Sequence, residues 1–473
     1  MAKFVKNPLG ENDETLLWKQ SQDLENRIED VVDEITDEIY DRDGKVKRYG
    51  VRRKLGATTP ELERLGDAIG LVANADTSLT TYNEVQNDFD NIFPWSHMRK
   101  CIIEEDGTII YEGYPGYGTS NGDYMIEIPS FYLKHTVGQE NLEYWVSEYS
   151  GQGYEKTDKF YIAQFKTSEG HRSRPSASPL VFTELSTFRN NARNKGDGWQ
   201  VIDMKGHYIL RVLYQIEFAH LDSQAKLGAG VPNVRYRTTD EITVAKDNTN
   251  TIDVSSDTAN GFEVGETVTI GTSRGSASAI AHDRIITEKT STTITVNGAP
   301  FNVAVGNIIY NVGQHSGKTL ELTSSSGQSV GRSGRQSISY RGVEDVFGNV
   351  YENVDGTLIN NHQAYTCEDP SKFANSITSD YKAVGYTNLD SNAWVSEMGY
   401  DEDNKFVEFP IKGGAGSSTG YCDHYYQEVG LRAPRGGGNF NNGTLAGLFF
   451  WVLYNAPAAS LVTSGARLLY RKP

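Results

Sequence analysis

Cysteine is scarce in this chain: three residues in 473, Cys101, Cys367 and Cys422, with neither paired spacing nor a metal-type cluster. No disulfide framework is available to hold the fold, and the usage fits synthesis in a reducing cytoplasm. An excess of positive charge is missing too. Lys and Arg number 45 against 62 Asp and Glu, a net charge of −17, which argues against a nucleic-acid binder, since such proteins need a basic face to displace counterions. No apolar run approaches the roughly 20 residues that cross a bilayer; the densest, Leu445–Tyr454, has ten. The N-terminus, Met1-Ala-Lys-Phe-Val-Lys-Asn-Pro8, lacks the apolar core of a secretory signal, so a protein of this kind acting outside a cell is expected to leave by another route. His171, His207, His220, His282, His315, His362 and His424 are scattered, none in a His-x-x-x-His context. No catalytic constellation is read from the chain, and no cofactor or metal is expected.

What is present suits a soluble protein of two to four structural units: 37% apolar and 23% charged residues, with a mean hydropathy of −0.51. Aromatics reach 11%, including 27 tyrosines, an excess found where proteins recognise through surface rings and also in β cores. Residues 11 to about 43 read as one helix, with Leu17, Leu24, Ile28, Val31, Ile35 and Ile39 near heptad spacing and acidic flanks. It either docks on its own domain or self-associates, a homotrimer being the expected assembly. A basic patch follows (Lys45, Lys47, Arg48, Arg52, Arg53, Lys54), either answering an acidic neighbour or forming a solvated linker. Residues 1–59 are thus expected to serve oligomerisation or attachment.

Over 60–239 the pattern is mixed. Helical signals fall at Glu61–Ala73, Glu184–Asn194 and Tyr208–Phe218, where Ile209, Val212, Leu213 and Ile216 share a face. Strand signals fall at Met125–Leu133 and Phe160–Phe165, with the Gly-rich Gly113–Gly122 stretch as turns. Residues 240–312 differ: short β-branched runs alternate with Gly, Asn, Asp and Ser, and no helix signal occurs. An inserted small all-β barrel or sandwich is the economical description. From Gly313 the chain is Gly/Ser-rich up to Ile338, then continues to 473 as short strands and polar loops. The expected class is α+β, with an N-terminal helix and an inserted all-β domain.

Two patterns are decoys. Gly313-Gln-His-Ser-Gly-Lys-Thr319 is one residue short of a phosphate-binding loop, and no helix pattern follows it. Asp41-Arg-Asp-Gly44 and Asp401-Glu-Asp-Asn404 cluster oxygen ligands without the full spacing of a calcium loop.

The C-terminal stretch carries the most information. Arg435-Gly-Gly-Gly-Asn-Phe-Asn-Asn-Gly443 precedes Leu445-Ala-Gly-Leu-Phe-Phe-Trp-Val-Leu-Tyr454, and Gly465-Ala-Arg467 closes the chain. The apolar run is either a strand buried on both faces, with Leu448 and Leu453 expected among the buried positions, or a strand whose alternate residues form an exposed aromatic patch on a rigid base.

Several segments together resemble the C-type-lectin-like, formylglycine-generating (sulfatase-modifying) family, and most closely its phage tail and retroelement-diversified receptor-binding members. They are Ser339 to Gly356, containing Gly-Asn-Val-Tyr-Glu-Asn-Val-Asp-Gly; Arg432-Ala-Pro-Arg-Gly-Gly-Gly-Asn-Phe440; Gly465-Ala-Arg467; Tyr214–Gly230; Asn91-Ile-Phe-Pro-Trp-Ser96; and Ile126-Glu-Ile-Pro-Ser-Phe-Tyr132. Tyr351, Asn353 and Phe440 stand where tryptophans are usual, and Ala466 where Phe is usual. The closely spaced cysteine pair of the enzymatic branch is not matched by Cys367 and Cys422, so an oxidoreductase is the alternative and a non-enzymatic adhesin the first expectation; a structural fibre component, with 240–312 as its contact module, is a third. The resemblance implies ligand contact by Phe440, Leu445, Phe449, Phe450, Trp451, Val452, Tyr454, Ala459, Leu461 and Thr463, on a scaffold of Asn439, Asn441, Asn442 and Asn455. It also implies a location at a phage tail tip after synthesis in the host cytoplasm. The implied partners are a bacterial surface receptor, protein or glycan, other tail or baseplate proteins and further copies of the chain, with no membrane insertion.

Overall fold

The computed structural model describes Leu24 and residues 46–119, 121–275, 278–330 and 335–472. The helix expected over 11–43, Leu24 apart, and the Asp41–Gly44 turn lie outside the described residues.

The linker expected after that helix is instead a strand. Arg48–Lys54 pairs along its whole length with Asn141–Ser147 and on its other side with Glu63–Gly66. Its basic residues serve the sheet: Arg52 donates to Glu143 at 2.7 Å, and Arg53, 3% exposed, donates to the Ser396 carbonyl at 2.6 Å.

With 36% strand against 13% helix, the fold is mainly β, and the α+β expectation is corrected. The Glu61–Ala73 segment shows why. Its apolar spacing is helical, but Gly66 and Gly70 take φ of +59° and +83°, which breaks a helix. A Cβ at Gly66 would lie 2.5 Å from the Arg48 carbonyl oxygen, so only glycine allows that strand pairing. The residues form the edge strand Glu63–Gly66 and turns.

The first half of the chain builds this five-stranded sheet and a six-stranded one. The latter runs in the order Trp199–Val201, Leu468–Tyr470, Phe160–Ala163, Asp123–Ile128, Arg99–Ile103, Ile109–Tyr111, so the last strand of the chain is threaded between strands of the first half. The second half builds a seven-stranded sheet: Pro410–Gly413, Ala393–Met398, His424–Gln427, Trp451–Leu453, Arg435–Gly436, Tyr351–Asn353, Ser464–Gly465.

Four α-helices occur among the described residues: α1 (Leu185–Arg193), α2 (Met204–Phe218), α3 (Ser223–Leu227) and α4 (Ser256–Asn260). Helix α2 is buried on almost every side, as befits a helix apolar around most of its circumference. Asp203 caps its N-terminus by accepting from the Gly206 amide at 2.8 Å, and Arg471 pairs with Asp203 at 2.7 Å. Helix α3 anchors the loop before the apolar run: Ser223 Oγ accepts from the Leu448 amide at 3.0 Å, and Gln224 donates to the Gly443 carbonyl at 3.1 Å.

The segment 240–312 contains a five-stranded antiparallel sheet and the short α4, around a hydrophobic cluster of its own that includes Ile252, Phe262, Ile270, Ile286 and Ile309. Its two ends meet where the Asn311 amide donates to the Arg235 carbonyl at 2.9 Å. It touches the rest of the chain through Asp283, which accepts from Ser178 Oγ and lies 2.9 Å from His315 Nε2, and through the Thr267 amide, which donates to Gln314 at 2.8 Å.

Candidate recognition face

The motif segments read from the second half converge on neighbouring strands. Glu352 is in register with Gly436 on one side and Gly465 on the other. Its buried carboxylate takes Lys166 and Arg467, each at 2.7 Å. Burial alone would raise that carboxyl, but Arg467 and Lys166 bring it down to about 2. Arg467 also donates to the carbonyls of Ala163, Gln164, Glu344 and Asp345, which joins the Gly-Ala-Arg segment to the first half of the chain. Arg435 Nε donates to Asn353 at 2.8 Å.

Alternation along the strands and their register divide the seven-stranded sheet into two faces. The inner face carries Val395, Tyr425, Trp451, Leu453 and Glu352. Trp451 packs against His207 and Phe409, both at 4.9 Å between ring centres, with the Arg211 guanidinium at 5.5 Å. The outer face carries, in register across the sheet, Trp394, His424, Tyr426, Val452, Arg435, Asn353 with Tyr351, and Ser464.

The ten residues expected to contact ligand fall into two groups. Phe440, Phe449, Phe450, Trp451 and Val452 are at most 1% exposed, so they are core and not surface. Phe440 lies edge-on to Tyr236 among Val231, Val234 and Val350. Phe449 packs on Tyr421 and Tyr214. Phe450 and Val452 do point to the outer side, but a further layer roofs them: Phe450 stacks on Tyr351 at 5.8 Å, and Tyr426, Leu445 and Tyr454 pack over the cluster. Leu445, Tyr454, Ala459, Leu461 and Thr463 are half-buried and present part of their surface to solvent. Leu448 and Leu453 are buried, as expected.

Three rings not anticipated from the sequence, Trp394, His424 and Tyr426, are half-buried and continue the same face. Trp394 is edge-on to His424 at 5.5 Å, His424 lies 4.5 Å from Tyr426, and Tyr426 is edge-on to Tyr454 at 6.0 Å. The result is an unbroken row of four aromatic side chains across three strands. The segment His424-Tyr-Tyr-Gln427 carries no polar/apolar alternation that would have marked two of them. Burial lowers the His424 pKa below its ordinary value, so its imidazole is neutral at pH 7 and the row is aromatic and polar without being charged.

The support beneath is rigid. Arg435 Nη2 donates to the Ala459 carbonyl at 3.0 Å, which ties the 455–463 loop to the sheet; burial lowers the Arg435 pKa to about 10. Asn439 accepts from the Asn441 amide at 2.7 Å and Asn442 from the Asn439 amide at 2.8 Å. These two asparagines thus hold their loop's backbone, in the scaffold role expected for them.

The remaining motifs resolve into structure. The loop Gly313–Thr319 does wrap an acidic group, but an internal one: the amides of Gly317 and Thr319 donate to the Glu344 carboxyl at 2.7 and 2.8 Å, and Thr319 Oγ1 donates at 2.6 Å; burial and Asp345 raise that carboxyl to about 7. Asp401 caps its own turn, accepting from the Asp403 amide at 3.1 Å. The pattern Gly-x-Ser-x-Gly occurs at 118–122, 271–275 and 327–331. Among the described residues no α-helix follows any of the three before the next strand, unlike the strand-to-helix elbow of a serine nucleophile. All three cysteines are free and buried. Burial raises their thiol pKa values, that of Cys422 to about 12, the reverse of what activates a thiolate.

Compared with protein-family models and with curated proteins, the chain matches none.

Proposed function

We propose that this chain is a receptor-binding protein of the phage-tail kind that its motif segments resemble, and that the outer face of the seven-stranded sheet contacts a bacterial surface ligand. The observation that carries the proposal is the row Trp394–His424–Tyr426–Tyr454, flanked by the half-exposed Leu445, Ala459, Leu461 and Thr463. Amphipathic rings supply large contact area at low entropic cost. The Glu352–Lys166–Arg467 network and the asparagine turns hold the sheet from beneath, independently of which side chains the face displays. A contact surface can therefore change while its support does not. Display of several copies on one particle would multiply a modest single-site affinity.

The test is adsorption of the purified protein to host cells. Tyr426→Ala and Tyr454→Ala should each fold, at a stability cost of about 1 kcal/mol or less, and lose on the order of tenfold or more in binding, as hot-spot aromatics do. Folded variants that bind as the parent does would overturn the proposal.

A further inference from the structure

A second concavity shares no residue with the aromatic face. Its volume is about 560 Å³, within the range of small-molecule sites.

One wall is the turn that begins at Tyr111. Gly113, Gly116 and Gly118 take φ of +89°, +94° and +80°, and the amides of Tyr114 and Tyr117 donate to the carbonyls of Tyr111 and Tyr114 at 3.2 Å. These tight turns hold Tyr114 at 44% exposure on the cavity. Another wall is Leu322-Thr323-Ser324-Ser325, part of the Gly/Ser-rich stretch. It is pinned where Ser324 Oγ donates to the Asn83 carbonyl at 2.7 Å and where the Arg341 amide donates to Ser326 Oγ at 3.0 Å.

Gln164 also lines the cavity, at 1% exposure. Its backbone is fixed, its amide donating to the Tyr124 carbonyl at 2.9 Å and its carbonyl accepting from Arg467 at 3.1 Å. Its side-chain Oε1 is buried with no hydrogen-bond partner. A buried acceptor without a donor forfeits its hydration for nothing in return, so this position calls for a donor from outside the chain.

Each basic side chain of the lining already has a carboxylate partner. Arg99 pairs with Glu127 at 2.8 Å, Lys100 with Glu112 at 3.4 Å, and Arg341 with Glu217 and Asp90, both at 2.6 Å. A phosphate or a carboxylate ligand would compete with these acids for the same cations. A neutral molecule rich in hydroxyls suits this lining: its hydroxyls can accept from and donate to serine and threonine, and its C–H surface can lie against a tyrosine ring.

We propose that this cavity binds one neutral saccharide unit, with Tyr114 against its C–H face and Gln164 Oε1 accepting one of its hydroxyls. The unit is either a free sugar or a residue within a neutral polysaccharide. The site goes beyond the aromatic face and does not depend on it.

The test is saturation-transfer NMR on the full chain. One arm uses the methyl glycosides of glucose, galactose, N-acetylglucosamine and rhamnose, and the other uses dextran as a neutral polymer. At least one probe should receive saturation, the responding arm identifying a free sugar or a chain residue. The affinity should fall roughly tenfold or more in Tyr114→Ala, and in Thr323→Trp, which fills the cavity from an exposed position; a loss of about tenfold corresponds to one well-made contact. Tyr454→Ala should leave the signal unchanged, which separates this site from the aromatic face. No transfer in either arm, transfer undiminished in both cavity variants, or displacement of the neutral sugar by inorganic phosphate or glucuronate would each overturn the proposal.

Discussion

Glu352 is the buried carboxylate that pairs with both Lys166 and Arg467. Its carboxyl ordinarily titrates near 4.3 and is held at about 2 in the fold. A depressed carboxylate contributes stability that is present above the unfolded value and lost as pH falls through the folded one. His207 acts with the same sign. Burial, then Arg211, lowers it to about 3, so the unfolded chain takes up a proton below about pH 6.5 that the folded chain refuses. These two groups by themselves lower the thermal midpoint from pH 6.5 towards pH 3, while Glu344, which burial and Asp345 raise to about 7, and Asp423, which burial raises, act with the opposite sign. Glu352→Gln should remove the most acidic part of that decline and cost about 3–5 kcal/mol at pH 7, because Lys166 and Arg467 are left buried without a counter-charge. Denaturant unfolding at pH 7 checks this, and a variant as stable as the parent would contradict it. The two sides of the sheet should also separate by mutation. Trp451→Ala should cost about 3–5 kcal/mol as a cavity in the core, whereas Tyr454→Ala should cost about 1 kcal/mol or less, measured in the same unfolding experiment. Natural variation should follow the same division: a diversified population should vary Leu445, Tyr454, Ala459, Leu461 and Thr463 and hold Phe449 and Trp451 fixed. Sequencing many copies of the coding segment reads this directly.

Among the elements, the segment 240–312 is the most separable. Its ends join at Arg235 and Asn311, and it has its own hydrophobic cluster. Replacing 241–307 by a short Gly/Ser linker should leave a chain that melts cooperatively and still adsorbs to cells. Loss of adsorption with the fold intact would transfer the contact role to the insert. The elements also show what one sequence discloses. Helices α1 and α2 were legible because their apolar period is long and uninterrupted. Residues 61–73 have the same period but also two glycines with positive φ, and turn chemistry prevailed. The basic stretch 45–54 reads as a linker because a strand whose arginines are paired by distant residues, Glu143 and Ser396, has no local signature. Leu445, Tyr454, Ala459, Leu461 and Thr463, the half-buried positions of the candidate face, were read from the resemblance, together with five positions that are buried. Its other half was not: Trp394, His424 and Tyr426 reach Tyr454 only through pairing of His424–Gln427 with Ala393–Met398 and with Trp451–Leu453. Period-two alternation likewise cannot distinguish a bare face from one roofed by neighbours, which is why Phe450 and Val452 were read as surface.

At the scale of the molecule, the closing strand Leu468–Tyr470 lies between strands of the first half, and Arg467 bridges both halves. The variable-looking segment is thus enclosed by fixed structure on either side in the sequence, and a change on the outer face need not propagate into the core. The central claim is that this face is where the protein meets its host. Hydroxyl-radical footprinting of the chain, free and bound to envelopes of a bacterium to which it adsorbs, measures this most directly. Protection concentrated at Trp394, His424, Tyr426 and Tyr454 is the predicted result; protection confined to 240–312, or to any surface that leaves those four rings as reactive as in the free protein, would contradict it.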